Sequence, residues 1–174
     1  SSNKEIEIKK INNLLKHRGP DDDGFYNDED ISLAFNRLSI LDLENGNQPI
    51  KRNHIISIFN GEIYNFKEIR NELEDSGFKF KTNSDAEIIP AAFLKWGINC
   101  ISKFTGMFAI SIYDLKEKKL YLIRDRVGIK PLYYSQFNGL LVFSSEILGI
   151  INHTAFKRSV NFNALASYLS FRYP

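Results

Sequence analysis

The chain has 174 residues, of which 43% are hydrophobic and 25% are charged, and its formal net charge is +2. This length suits one substantial domain, and the dispersed Lys and Arg residues exclude a basic stripe for nucleic acid. No apolar run reaches the roughly twenty residues that span a bilayer, and one cysteine excludes an internal disulfide framework. We therefore expect a cytoplasmic domain with no nucleic-acid or membrane partner.

The first predicted element is an amphipathic helix over residues 4–16, which ends before Gly19 and Pro20. Short runs of β-branched and aromatic residues predict strands. These runs are residues 31–35, 55–59, 107–113, 119–123 and 140–143. The Asn138-Gly139 pair predicts a type I′ hairpin turn before the last strand.

Helices are predicted between and after these strands. Asn65 is expected to cap a helix that ends at Gly77, and Ser84 with Glu87 predicts a capping box at the next helix. Pro90 should bend that second helix or delay its start. A last helix is predicted over residues 163–170. Several hairpins with intervening helices favour an α+β fold with antiparallel sheets.

The stretch from Phe59 to Asn65 contains the most unusual candidate site. An Asn60 carboxamide beside the Gly61 backbone N–H offers two neutral donors, which suit a developing oxyanion. The alternative is a tight turn in which the glycine supplies a positive φ, and spacing alone favours that turn.

Two charged residues have both a structural and a functional interpretation. Arg37 follows a predicted buried strand, where it could pair with an acidic residue of the chain or bind a substrate carboxylate. Asp85 stands at a helix start, where it could favour the helix dipole or bind a substrate ammonium. The segment from Arg124 to Pro131 is expected to be a solvated loop with internal ion pairs, or a surface that packs against another domain.

Metal and thiol chemistry are not indicated. The three His residues have no Cys or carboxylate at ligand spacing, so no metal site is expected. Cys100 lies in an apolar stretch with no His nearby in the sequence, which favours a buried structural thiol.

Taken together, these segments resemble the glutamine-hydrolysing domain of asparagine synthetases, from about residue 17 to the end of the chain. The motifs, in the order seen in that family, are His17-Arg18-Gly19-Pro20-Asp21-Asp22-Asp23-Gly24, Arg37-Leu38-Ser39-Ile40, Asn60-Gly61-Glu62-Ile63-Tyr64-Asn65-Phe66, Gly77-x-x-Phe80-x-Thr82-x-Ser84-Asp85-x-Glu87, Arg124-Asp125-Arg126-x-Gly128-Ile129-Lys130-Pro131-Leu132-Tyr133-Tyr134 and Ser145-Glu146-Ile147. Each motif is weak alone, but the ordered set is specific.

The resemblance implies a class II glutamine amidotransferase with the N-terminal-nucleophile hydrolase fold, in which two antiparallel sheets lie between helical layers. It implies that Arg37 binds the α-carboxylate of glutamine and Asp85 its ammonium group. The Asn60 side chain and the Gly61 N–H would form the oxyanion hole. The remaining pocket residues implied by the resemblance are Leu38, Ser39, Ile40, Leu41 and Glu62.

In that family an N-terminal cysteine on a buried first strand attacks the glutamine amide, and ammonia passes to a synthetase domain. The sequence begins Ser1-Ser2 instead. We therefore expect residues 1–174 to be a glutaminase domain truncated at both ends, without its first strand and inactive alone. Residues from about 160 onward would lead to a synthetase domain that uses ATP and magnesium, while this domain needs no cofactor.

Glutamine and the synthetase domain are the expected partners, and the expected acceptor is aspartate. The oligomeric state is open, with a homodimer as one option. Two alternatives remain: a synthetase of the same fold that amidates a sugar or closes a β-lactam ring, and a binding or structural module without a nucleophile.

Overall fold

The computed structural model describes residues 2–37 and 47–172. The helices are α1 Ser2–Leu14, α2 Phe66–Glu74, α3 Ile88–Trp96, α4 Ile147–Ile151 and α5 Phe162–Phe171. The strands are β1 Asp22–Asn27, β2 Ser32–Arg37, β3 Ile50–Arg52, β4 Ile55–Ile63, β5 Gly106–Asp114, β6 Lys119–Arg124, β7 Tyr133–Phe137 and β8 Leu140–Ser144. Short 3-10 helices occupy Lys16–Arg18, Asp85–Glu87 and Gly97–Lys103.

All strand pairings among these residues are antiparallel. The central sheet has the order β3-β4-β5-β6, while β1 pairs with β2 and β7 pairs with β8 as separate hairpins. The predicted α+β fold with antiparallel sheets is therefore confirmed. The described residues form three hydrogen-bonded sheets where two were expected. The two hairpins are connected through helices and not through strand pairing, because α1 packs on β2, α4 packs on β7 and β8, and α1 contacts α4.

The main core lies between the central sheet and helices α2 and α3. Alternate residues of β4 point toward these helices, since side chains of a strand alternate between its two faces. Ile55, Phe59 and Ile63 belong to this buried cluster together with Ile69 of α2 and Ile88 of α3. The core-facing residues of β4 therefore anchor the strand, while Asn60 and Glu62 lie on its opposite face.

The predicted elements are found with modest changes in their bounds. Each of the five predicted strands exists, and β4 and β5 each extend to nine residues because they pair along their whole length. The Asn138-Gly139 turn has φ values of 50° and 75°, as a type I′ turn requires. Among the α-helices and strands of the described residues, β1, β3, β7 and α4 had no sequence prediction.

The predicted helix caps are only partly correct. Ser84 accepts a hydrogen bond from the Ala86 N–H at 3.2 Å, but Glu87 does not complete a capping box. Its carboxylate accepts instead from the N–H groups of Lys81 and Thr82, at 2.9 and 2.8 Å. The predicted delay at Pro90 is confirmed, because α3 begins at Ile88 after a 3-10 turn. Pro90 thus lies in the first helical turn, where its missing N–H breaks no helical hydrogen bond.

Asn65 precedes α2, but its side chain does not cap that helix. Its carboxamide donates to the Lys103 carbonyl and accepts from the Thr105 N–H, both at 2.9 Å. The residue therefore joins the start of α2 to the segment that leads into β5. Across the described ranges, no helix is long and apolar enough to cross a membrane.

Candidate active site

The Asn60-Gly61-Glu62 segment belongs to a continuous strand. Strand β4 runs through it to Ile63, and Gly61 pairs with Phe108 of β5. The interpretation of Asn60-Gly61 as a tight turn is therefore wrong. Strand pairing overrides the local turn preference, because both neighbours of Gly61 are also paired with β5.

Gly61 lies against the backbone of β5. An added Cβ would collide with the Met107 carbonyl oxygen and would stand 2.7 Å from the Phe108 Cα. The φ of Gly61 is 152°, which also disfavours a side chain. Only glycine lets the two strands approach this closely, so this position explains why the motif contains a glycine in the middle of a strand.

Asp85 contacts the end of the same strand. Its carboxylate accepts a hydrogen bond of 2.9 Å from the Ile63 N–H, so the 3-10 helix before α3 is joined to β4 next to Glu62. Burial raises the pKa of Asp85 above its ordinary value, and the nearby negative charge of Glu62 adds to the rise. Hydrogen bonds from the N–H groups of Ile63 and Ala86 oppose it. A cation bound here would stabilise the ionised carboxylate against both effects.

Arg37 is the last residue of β2 and is 8% exposed. Its guanidinium donates to the Asn47 carboxamide oxygen at 3.4 Å, and its carbonyl accepts from the Asp21 N–H. Gly19 packs against this backbone so tightly that an added Cβ would lie 2.6 Å from the carbonyl carbon of Arg37 and 2.5 Å from that of Asn36. The His17-Arg18-Gly19-Pro20 motif thus supports the strand end that bears Arg37.

The structure brings four of the predicted site residues together at one end of β4. These four are Asn60, Gly61, Glu62 and Asp85. Arg37 is connected to β4 indirectly: it donates a hydrogen bond to Asn47, and the next residue, Gln48, donates one to the Phe59 carbonyl. The predicted pocket residues Leu38, Ser39, Ile40 and Leu41 lie outside the described residues.

The sequence prediction missed Gln48. This residue is 7% exposed, and its carboxamide binds both the N–H and the carbonyl of Phe59. A Cβ on Gly24 would collide with the Gln48 carbonyl oxygen and lie 2.9 Å from its carbonyl carbon. A glycine is therefore needed here for β1 to lie this close to the Gln48 backbone. The signal available in the sequence was a polar pair, Asn47-Gln48, immediately before Pro49 and a strand.

The loop from Arg124 to Lys130 is held by backbone contacts. The Asp125 carboxylate accepts from the N–H groups of Phe108, Ile129 and Lys130, at 3.2, 2.8 and 2.9 Å. Burial opposes ionisation of Asp125, but these hydrogen bonds lower its pKa to about 2. Arg124 donates to the carbonyls of Gly128 and Lys130, so backbone hydrogen bonds take the place of the expected internal ion pairs.

Cys100 is a buried free thiol, as predicted. Burial raises its pKa to about 12, so the thiolate that a nucleophile requires is disfavoured. Over residues 2–37 and 47–172, no three His, Cys, Asp or Glu side chains gather as metal ligands would.

The chain is similar to glutamine-hydrolysing asparagine synthetases. Asparagine synthetase [glutamine-hydrolyzing] 1 of Bacillus subtilis is 41% identical over 99% of this chain. Asparagine synthetase B [glutamine-hydrolyzing] of Escherichia coli is 39% identical over 84% of it. The matched regions are 28% and 27% of those proteins, so the chain spans only about a quarter of the length of these relatives.

Two comparisons define the fold and the family. The solved glutamine phosphoribosylpyrophosphate amidotransferase from B. subtilis matches with a TM-score of 0.52 and 24% identity, over 59% of this chain and 25% of that one. This likeness confirms the predicted N-terminal-nucleophile hydrolase fold. The family model described as a glutamine amidotransferase domain matches residues 1–174. The chain therefore belongs to the glutamine amidotransferase domain family.

Proposed function

We propose that this domain hydrolyses the side-chain amide of glutamine at the end of β4, within a longer protein that uses the released ammonia. The observation that carries this proposal is the meeting of Asn60, Gly61 and Asp85 at one strand end. A neutral carboxamide, a backbone N–H and a carboxylate there supply what an amide substrate with a free ammonium group requires.

The oxyanion role rests on the edge geometry of β4. In an antiparallel strand, the N–H groups of alternate residues point to the same edge. Gln48 accepts from the N–H of Phe59 and Asp85 from that of Ile63, so the N–H of Gly61 points between these two side chains. No side chain in the described part of the chain accepts from it. The Gly61 N–H is therefore suited to an oxyanion that forms as a thiolate attacks the amide carbon.

The α-carbon of glutamine bears an ammonium group and a carboxylate group, and we assign one binding residue to each. Asp85 would bind the ammonium, whose positive charge would offset both the burial of the Asp85 carboxylate and its repulsion from Glu62. Arg37 would bind the carboxylate through its planar fork of donors. Glu62 and residues 38–41 would line the rest of the pocket. The attacking thiolate in this proposal is the N-terminal cysteine that the resemblance implies, and Cys100 takes no part.

We propose that the synthetase part of the longer protein uses ATP and magnesium to amidate aspartate, because the two asparagine synthetases are similar along 99% and 84% of this chain. A sugar or β-lactam precursor is the alternative acceptor. Supplying the full-length protein with [amide-¹⁵N]glutamine, ATP and aspartate should yield ¹⁵N-labelled asparagine. Glutamate release without labelled asparagine would contradict the acceptor but not the glutaminase.

The substrate-binding role is tested with Arg37→Lys in the full-length protein. The variant keeps the positive charge but loses the bidentate fork, so KM for glutamine should rise on the order of tenfold or more. Synthesis from added ammonia should be unchanged, because that reaction bypasses this site. Parallel loss of the glutamine-dependent and ammonia-dependent activities would show that Arg37 is structural.

A further inference from the structure

Gln48 makes two hydrogen bonds to a single backbone residue. Its Oε1 accepts from the Phe59 N–H at 2.6 Å, and its Nε2 donates to the Phe59 carbonyl at 3.0 Å. Only 7% of the residue is exposed. This carboxamide therefore holds one peptide segment from the side, as a neighbouring strand would.

The position of this contact follows from where β3 ends its pairing. Strand β3 covers the outer edge of β4 only from Ile55 to Ser57. The next residue on that edge is Phe59, and Gln48 binds it there. A side chain thus continues the hydrogen-bond ladder beyond the last strand residue, directly before Asn60.

The N–H groups of β4 alternate between its two edges. The Tyr64 N–H donates to the Thr105 carbonyl, so by alternation the N–H groups of even-numbered residues of β4 point toward β5. The N–H groups of odd-numbered residues point to the outer edge, away from β5. Gln48 holds that edge at Phe59, and Asp85 holds it at Ile63. Gly61 lies midway between the two held positions.

We propose that Gln48 is a positioning residue of the glutaminase site, which holds β4 so that the Asn60 carboxamide and the Gly61 N–H converge on the oxyanion. The inference rests on the proposed function but assigns a role to a residue outside the binding pocket. In this proposal Gln48 has no direct contact with glutamine or with the nucleophile. It acts through the backbone of Phe59, the residue immediately before Asn60.

Two variants of the full-length protein test this role. Gln48→Met keeps the approximate shape and removes both hydrogen bonds. Gln48→Glu keeps the acceptor for the Phe59 N–H but places a carboxylate oxygen against the Phe59 carbonyl. Each should lower kcat for glutamate release roughly ten- to a hundred-fold, since displacement of a catalytic group by about 1 Å has costs of this size. KM for glutamine should change by less than about threefold, because substrate binding is assigned to Arg37 and Asp85.

Asp114→Ala is the matched control. Asp114 is also buried and also binds backbone, accepting from the N–H groups of Lys116 and Glu117, but it lies at the opposite end of the β4–β5 ladder. The Asp114→Ala variant should have a lower thermal unfolding midpoint, as Gln48→Met should, but its kcat with glutamine should be unchanged. Ammonia-dependent synthesis should survive in all these variants.

A double variant separates positioning from stability. If Gln48 acts through Asn60 and Gly61, adding Gln48→Met to Asn60→Ala should cost much less than it costs in the parent protein. Parent-like kcat in Gln48→Met, equal kcat losses in Gln48→Met and Asp114→Ala, or failure of both Gln48 variants to fold would each overturn the inference. If Asn60→Ala itself had no effect on kcat, the proposed function would fail instead.

Discussion

Replacing Gly61 with alanine is the sharpest perturbation of the strand that bears the candidate oxyanion hole. The added Cβ would meet backbone atoms only, with the Phe108 Cα at 2.7 Å and the Met107 carbonyl carbon at 3.0 Å. Carbon atoms in contact are ordinarily about 3.5–4.0 Å apart. Strands β4 and β5 would therefore have to separate by roughly 1 Å at this point, because no flexible side chain can give way.

This separation would affect stability and catalysis differently. Overpacking of a well-packed site costs about 1–3 kcal/mol, which should lower the thermal midpoint by several degrees. The same shift moves the Gly61 N–H, so kcat for glutamate release should fall on the order of a hundred-fold. Ammonia-dependent synthesis by the full-length protein should remain at the parent level.

Gly77→Ala provides the control for this prediction. Gly77 has a φ of 89°, so alanine is strained there by about 1–2 kcal/mol, but an added Cβ would meet no atom within 4 Å. The control should lose stability and keep the parent kcat with glutamine. If Gly61→Ala kept the parent kcat as well, the close approach of β4 and β5 would have no role in catalysis.

Two further predictions concern carboxylates with shifted pKa values. Burial raises the pKa of Asp85, so kcat/KM for glutamine should fall as the pH drops through a value above 3.8, the ordinary pKa of this carboxyl. Asp85→Asn should remove this acidic fall in kcat/KM. An unchanged pH profile in the variant would contradict the ammonium-binding role. Glu87 is also buried, but hydrogen bonds from Lys81 and Thr82 lower its pKa. The contribution of ionised Glu87 to the stability of the fold is therefore fully present above about pH 4.5 and is lost as the pH falls further. Glu87→Gln should therefore lower the free energy of unfolding by about 1–3 kcal/mol near neutral pH and much less in acid; an equal loss at both pH values would refute this.

Sequence patterns predicted the parts of the fold that local chemistry determines. The helical spacing before Gly19, the apolar strands and the Asn138-Gly139 turn each follow from periodicity or backbone preference, and each is present. Strand β1 escaped prediction because Asp-Asp-Gly-Phe-Tyr-Asn has no apolar alternation, and it forms by pairing with β2. Strand β3 has only three residues and owes its conformation to β4.

In the candidate site, too, the residues that belong to local motifs were predicted, and a residue that acts through a distant contact was not. Arg37, Asn60, Gly61 and Asp85 are candidates predicted from motifs, since residue type and order are visible in a sequence. Gln48 was not found, because its importance lies in a contact with a backbone eleven residues away. The local signal at Asn60-Gly61 pointed to a turn, and only pairing with β5 made it a strand. Tertiary contacts thus supply what local preference cannot.

The most direct test of the account compares glutamate release by the full-length protein and its Asn60→Ala variant at saturating glutamine. The variant loses one of the two proposed oxyanion donors, which matter mainly in the transition state. We predict that kcat falls on the order of a hundred-fold, with little change in KM and with ammonia-dependent synthesis intact. Equal kcat values for the two proteins would contradict the assignment of the active site to the end of β4.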